Sequence, residues 1–156
     1  MPRFSLFPSL FSCISILLFC FLFSLSPPAH SQTQIDWDIL SDVKFTDRYN
    51  EKVQAYYYFP EFGPSVKALH GKEVVIKGYL LVIDPENDIY ILSANPFSAC
   101  FFCGGAGPES IIELKVPLNH PRFKMDEVLT FRGTLKLNAV DIYQCNYILE
   151  NAWPSQ

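Results

Sequence analysis

Two long segments in which apolar and polar residues alternate restrict this chain to a small number of folds. The clearer one runs from Glu127 to Leu137, where leucines and Phe131 share one face and threonine, arginine and lysine the other. The second runs from Glu73 to Ile83. Alternation with a period of two indicates a half-buried β-strand. Each segment has a central glycine, Gly133 or Gly78, where a long strand can bend as a small barrel closes.

Three shorter segments complete a set of five strands. They span Ile89 to Leu92, Ile111 to Val116 and about Tyr143 to Ala152. A short helical segment, Trp37 to Leu40, precedes all five. The pattern predicts a mainly β fold: a small five-stranded Greek-key barrel of the OB type with a short N-terminal helical segment. A small antiparallel sandwich is the alternative.

The segment from Asp47 to Phe62 is rich in aromatic residues, with four in succession from Tyr56 to Phe59. Such a cluster can serve as a stacking platform for a ligand, but the simpler interpretation is that it covers one end of the core. Pro64 to His70 follows as one or two helical turns, and Gly71 ends them.

The first 31 residues have the features of a secretory signal. Residues 1–25 contain no acidic residue, one basic residue, Arg3, and an apolar run from Ile16 to Phe23. Two prolines and the small residues Ala29 and Ser31 follow. We therefore expect residues 1–31 to be a cleaved signal peptide, residues 32–156 to form a single barrel-like domain, and the protein to be exported to the periplasm or cell envelope. An uncleaved anchor is the alternative, and it would be the one contact with a membrane.

Charge and motifs exclude several functions. Without its first 31 residues the chain keeps all 16 acidic and 11 of 12 basic residues, a net charge of −5, which disfavours nucleic-acid binding. The sequence has no Gly-x-Ser-x-Gly elbow, no phosphate-binding glycine-rich loop before a helix and no His-Glu-x-x-His motif. We do not expect an enzyme, unless it is a thiol-disulfide oxidoreductase.

Three cysteines remain after export, and their thiols are the candidate groups for metal binding or redox chemistry. Cys100 and Cys103 form a Cys-x-x-Cys pair, and a glycine after the pair can turn the chain back at positive φ. Paired thiols suit zinc or a similar metal, and they also suit redox chemistry. One disulfide among three cysteines leaves a thiol over, whereas a metal could use all three. The expected ligands are Cys100, Cys103, Cys145 and His120, with His70 as an alternative fourth ligand.

Two other interpretations of the cysteines stay open. In a redox protein Cys100 would attack and Cys103 would resolve, although the residues after the pair do not begin a helix that would lower the thiol pKa. In a non-catalytic interaction module the cysteines would be structural, and the aromatic surface would contact a partner.

The run from Gly71 to Leu80, the Cys100 loop and the run from Ile111 to Leu114 together resemble a family of exported bacterial proteins known only as a domain of unknown function. The resemblance implies a small periplasmic β-barrel-like domain. It also implies a membrane transporter or envelope protein as partner, because some relatives are encoded beside zinc-regulated ABC-type permeases. No activity comes with it.

The cysteine loop departs from the commoner pattern of that family, in which a histidine follows the cysteine by two residues and a proline-rich stretch comes next. Here Cys100 matches the cysteine, and Cys103 lies one place beyond the histidine position. An exchange of cysteine and histidine suits a zinc-like metal site better than a disulfide, since both residues bind zinc.

Overall fold

The structure, a computed structural model, describes residues 32–155. The expected signal peptide, residues 1–31, lies outside them. The elements in chain order are β1 Thr33–Gln34, α1 Trp37–Leu40, β2 Val43–Asn50, β3 Ala55–Phe62, α2 Pro64–Lys67, β4 Glu73–Asp84, β5 Ile89–Ser93, β6 Ile111–Lys115, β7 Glu127–Leu137 and β8 Tyr147–Ser155. None of the helices in this part of the chain has the length and apolar character needed to cross a membrane.

Five of the strands close into a barrel. Around it the order is β4, β5, β6, β8 and β7, and β7 pairs again with β4. The pairs are antiparallel except β6 with β8, which is parallel. This order matches the OB topology that the sequence predicts, and the prediction of a small five-stranded mainly β barrel is confirmed. The antiparallel sandwich is excluded.

The two central glycines lie where the barrel needs them. Gly78 is buried at the point where β4 passes from pairing with β7 to pairing with β5, and a Cβ atom there would lie 2.6 Å from the carbonyl oxygen of Ser93. Gly133 lies where the register between β7 and β8 shifts, between Arg132 and Thr134. Both positions are therefore sites of bending or close approach, as the sequence indicates.

One apolar cluster fills the barrel and includes the N-terminal helical segment. Leu80, Phe131 and Leu135 are fully buried in it together with Leu40 from α1. Tyr147 is also fully buried, and its hydroxyl donates a hydrogen bond to the main-chain oxygen of Leu40 at 2.7 Å. This bond fixes α1 to the barrel.

The aromatic segment differs from its expected role. Residues 43–62 form an antiparallel two-stranded sheet, β2 with β3, which we call the aromatic ribbon. Phe62 does pack on the core, with its ring 5.6 Å from that of Tyr147. Tyr49, Tyr56 and Tyr58 are instead exposed, so most of the ribbon does not cover the core.

The last strand begins later than expected. β8 starts at Tyr147 rather than near Tyr143, and Cys145 lies before it. The intervening residues fold back on Asn138 through side-chain hydrogen bonds, which compete with strand pairing. Cys145 therefore belongs to the β7–β8 loop and not to a strand.

Candidate functional site

Residues 94–110, between β5 and β6, form the cysteine loop and contain three short 3-10 turns. Cys100 precedes the turn Phe101–Cys103, and its carbonyl oxygen accepts from the amides of Cys103 and Gly105, both at 3.1 Å. Gly104 has φ of +75°, as expected for the glycine after the pair. The two cysteines thus enclose one tight turn that carries two phenylalanines.

The three thiols occupy different environments. Cys100 is fully buried in a second apolar cluster, outside the barrel, with Leu81, Ile91 and Ile111. Cys145 is half-buried and packs against the same cluster. Cys103 is exposed, and its Sγ donates to the carbonyl oxygen of its own loop residue Phe97 at 3.0 Å. All three cysteines are free thiols.

The surroundings of two thiols favour their protonated form. Partial loss of water around Cys103, together with the adjacent Cys100 side chain, raises the pKa of the Cys103 thiol. Burial and the nearby Glu113 carboxylate raise the pKa of Cys145 to about 12, although the Lys115 ammonium opposes the rise. A reactive thiol needs the opposite shift, so neither Cys103 nor Cys145 is an activated nucleophile.

The two histidines lie apart from the cysteine loop. The His120 ring stacks on Phe123 and meets the edge of Tyr90, a residue of the barrel core, and its Nε2 lies 3.3 Å from Oδ1 of Asp88. His70 Nδ1 accepts a hydrogen bond from the amide of β7 residue 137 at 3.1 Å. Within residues 32–155 no three or more His, Cys, Asp or Glu side chains are grouped so as to hold a metal. Of the four expected ligands, the structure brings Cys100 and Cys103 together, places Cys145 against the cluster around Cys100, and leaves His120 elsewhere.

A groove of about 410 Å³ lies beside the cysteine loop, on the outer face of β5 and β6. Four further segments form its walls: β3, the β4–β5 hairpin, the cysteine loop and the β7–β8 loop. Its charged lining residues are two carboxylates, Glu113 and Asp141, and among residues 32–155 no lysine, arginine or histidine lines it, although Lys115 pairs with the Glu113 carboxylate. The apolar and aromatic lining residues are Tyr57, Tyr58, Ile83, Ile89, Ile91, Phe101, Phe102, Pro108, Ile111, Ala139, Ile142 and Tyr143.

The floor of the groove follows from strands that are apolar on both faces. In β5, Tyr90 and Leu92 point into the barrel, so Ile91 points outward into the second cluster. In β6, Ile112 belongs to the core and Ile111 to the second cluster in the same way. A strand with one solvated face would carry polar residues there. The outward isoleucines are the sequence pattern that indicates a covered or ligand-binding outer face. The groove was not predicted from this pattern.

The β7–β8 loop, residues 138–146, is held in a defined shape. The buried Asn138 side chain donates to the carbonyl oxygens of Asp141, at 2.7 Å, and Cys145, at 3.2 Å, and accepts from the Asp141 amide at 2.9 Å. The Cys145 amide in turn donates to Oε2 of Glu113 on β6 at 3.0 Å. The loop therefore presents Tyr143, whose side chain is 83% exposed, from a fixed frame.

The groove lies on a defined face of the barrel. Strands β5 and β6 are the second and third strands of the barrel, and the β4–β5 and β7–β8 connections flank them. In OB folds this face and these two loops bind the ligand. The protein is thus a closed five-stranded barrel of the OB type with an apolar groove on the face that this class uses for binding.

Comparisons with known proteins bear on the fold. No family model matches the chain, and no curated protein matches it. Among solved structures, it is similar to the crystal structure of a DUF3299 family protein from Pseudomonas aeruginosa PAO1, with a TM-score of 0.51 and 16% sequence identity. The match covers 81% of this chain and 97% of that one. At this identity the likeness shows the fold alone, shared with a bacterial family of unknown function; export and a transporter partner stay predictions.

Proposed function

We propose that this protein is an exported, non-enzymatic binding domain that holds an apolar segment of an envelope protein or membrane transporter in the groove. One observation carries the proposal. Large apolar side chains from four separate segments converge on the groove while staying 41–83% exposed. They are Tyr58, Ile83, Ile89, Phe102 and Tyr143. A contiguous apolar surface of this kind on a soluble domain marks an interaction or ligand site.

The walls of the groove support a binding role because they are already ordered. The Asn138 and Glu113 hydrogen bonds hold the β7–β8 loop, and the turn between Cys100 and Cys103 holds Phe101 and Phe102. A partner then binds without first ordering these segments, which lowers the entropic cost of association. In this account the cysteines act as structural groups.

Two observations support a partner protein over a nucleic acid or a reaction substrate. The Asp141 carboxylate repels phosphates, and the Glu113 carboxylate is paired with Lys115, so the lining of the groove carries no net positive charge to attract them. Cys145 is the cysteine that lines the groove, and its raised pKa leaves the thiol protonated at neutral pH, so the groove does not offer it as a nucleophile.

The test is selection from a phage-displayed library of random peptides of about 12 residues, long enough to cross the groove as an extended chain. We expect the recovered peptides to be apolar or aromatic. Their affinity should fall by about tenfold or more for a Phe102→Ser, Tyr143→Ser double variant, since buried aromatic anchors dominate binding energy. Leu118→Ser is the matched control, because Leu118 is 97% exposed and does not line the groove. Recovery of no peptide, or equal binding to the double variant, would refute the proposal.

Metal binding through Cys100 and Cys103 is a second candidate, favoured by one observation: within a single turn the Cys100 side chain lies close enough to that of Cys103 to raise the pKa of the Cys103 thiol. Two thiolates leave zinc two ligands short of a tetrahedral site, and these would come from outside the four expected residues or from a partner. Elemental analysis of protein purified without chelator tests it. About one equivalent of zinc, lost in Cys100→Ser, supports the candidate, and no zinc at all refutes it.

A further inference from the structure

The aromatic ribbon has one edge that natural proteins usually protect. Among the described residues, β3 pairs with β2 along its whole length and with no other strand. Every second residue of β3 therefore directs its N–H and C=O groups away from β2, toward no other strand. Such an edge is a template for another extended chain.

The first five residues of β3 leave their part of the edge unguarded, whereas Pro60 and Glu61 protect its end. The run from Ala55 to Phe59 has no charged residue and no proline. The other strand of the ribbon carries Lys44, Asp47 and Arg48, the kind of charged residues that discourage edge pairing. The two edges of the ribbon thus differ in sequence. The β2 edge carries charged residues, and the β3 edge at residues 55–59 is the one suited to accept another strand.

The β3 edge borders the groove. Tyr57 and Tyr58 are consecutive, so their side chains lie on opposite faces of the ribbon, yet both line the groove. The groove therefore meets β3 along its edge and not on one face. No residue of β2 lines it. A chain lying in the groove would run next to unpaired main-chain groups of β3.

We propose that the partner segment binds by strand addition to the β3 edge, an inference that rests on the proposed function and specifies how the groove is used. Main-chain hydrogen bonds to β3 would supply affinity, and side chains at alternate positions would contact the apolar wall. The carboxylate of Asp141 complements a basic side chain, whereas that of Glu113 is already paired with the Lys115 ammonium and the Cys145 amide. The occupant is an extended peptide with aromatic or branched residues at alternate positions and a lysine or arginine among them.

N-methylated peptides provide the test. The probe is the tightest-binding peptide from the selection, synthesised unmodified, N-methylated at its odd positions, and N-methylated at its even positions. Only one of these sets faces β3 in an added strand. We expect one methylated form to bind about thirtyfold more weakly or worse, because each lost hydrogen bond costs about two- to tenfold, and the other to bind within about threefold of the unmodified peptide.

Amide hydrogen exchange supplies the readout on the protein. Binding of the unmodified peptide should slow exchange at alternate amides of residues 56–59, and the weakly binding form should not. If both methylated forms bind equally while the Phe102→Ser, Tyr143→Ser variant still loses binding, strand addition is refuted and the proposed function stands. If the double variant binds normally, the proposed function itself fails. The free protein could instead dimerise through residues 56–59. If the peptide does not dissociate that dimer, the occupant of the edge is a second copy of this chain, and the inference is overturned.

Discussion

Tyr147 joins the N-terminal helix to the centre of the barrel, and Tyr147→Phe tests that connection. The side chain is fully buried, and its hydroxyl donates to the Leu40 carbonyl oxygen at 2.7 Å. Phenylalanine keeps the ring and its contact with Phe62 but removes the donor. A buried polar group without a partner costs about 1–3 kcal/mol, so we expect the free energy of unfolding to fall by about 2 kcal/mol.

Urea denaturation followed by tryptophan fluorescence measures this loss. The matched control is Tyr143→Phe, which removes the same hydroxyl from a side chain that is 83% exposed. Surface substitutions of this kind change the free energy of unfolding by about 0.5 kcal/mol or less. If Tyr147→Phe is as stable as this control, the hydrogen bond to Leu40 does not contribute as the structure implies.

The pH dependence gives an independent check. Burial raises the pKa of Tyr147, and the carboxylates of Glu109 and Asp42 raise it further. The folded state therefore holds this proton at a pH where the unfolded state has released it. The resulting stabilisation is complete below the unfolded pKa of about 10 and is lost as pH rises toward the folded value. The stability difference between wild type and Tyr147→Phe should narrow above about pH 10, and a constant difference would contradict the assignment.

Three further outcomes follow from the loop and barrel geometry. Iodoacetamide should modify the exposed Cys103 first and the half-buried Cys145, whose pKa is raised to about 12, more slowly. The buried Cys100 should react only on unfolding. Equal rates for the three thiols, followed by mass spectrometry, would contradict the burial that the structure gives them. Gly133→Ala should lower the free energy of unfolding by about 1–3 kcal/mol, since its Cβ would lie 2.7 Å from a β8 carbonyl oxygen; unchanged thermal stability would contradict that approach. Asn138→Ala should weaken selected peptides about tenfold by releasing the β7–β8 loop; unchanged affinity by titration would show that the loop needs no such anchor.

The barrel was predictable because its signals are local. Alternation along β4 and β7 identifies the two long strands, and Gly78 and Gly133 mark where they bend. Each signal involves neighbours in the sequence, so no knowledge of distant contacts is needed. Closure was one of two arrangements that these strands allowed, and the pairing of β7 with β4 in the structure selects the barrel over the sandwich.

The aromatic ribbon was missed because its local signals conflict. Four consecutive aromatic residues in β3 hide any alternation, and the turn to β2 has no glycine or asparagine at its last position. Gln54 occupies that position with φ of +52°, a conformation that glutamine seldom adopts. Neither pattern nor turn chemistry therefore identifies a hairpin here, although the pairing is complete from residue 43 to residue 62.

The groove could not be derived from spacing, because its walls come from segments spread over more than 80 residues of the chain. Tyr58, Phe102 and Tyr143 meet only once the barrel has closed. The β7–β8 loop takes its shape from Asn138, whose contacts replace the strand pairing that alternation alone would favour near Cys145. Sites assembled from loops depend on such contacts, and local pattern carries little information about them.

The cysteine pair has a different consequence in the structure than its spacing alone suggests. Cys100 is buried as a small apolar group, and Cys103 closes the turn from the exposed side. The residues between them, Phe101 and Phe102, line the groove. The turn is closed by main-chain hydrogen bonds to the Cys100 carbonyl oxygen, and the two thiols are free. The intervening residues are both aromatic and both line the groove, so under the proposed function the role of the pair is to position them.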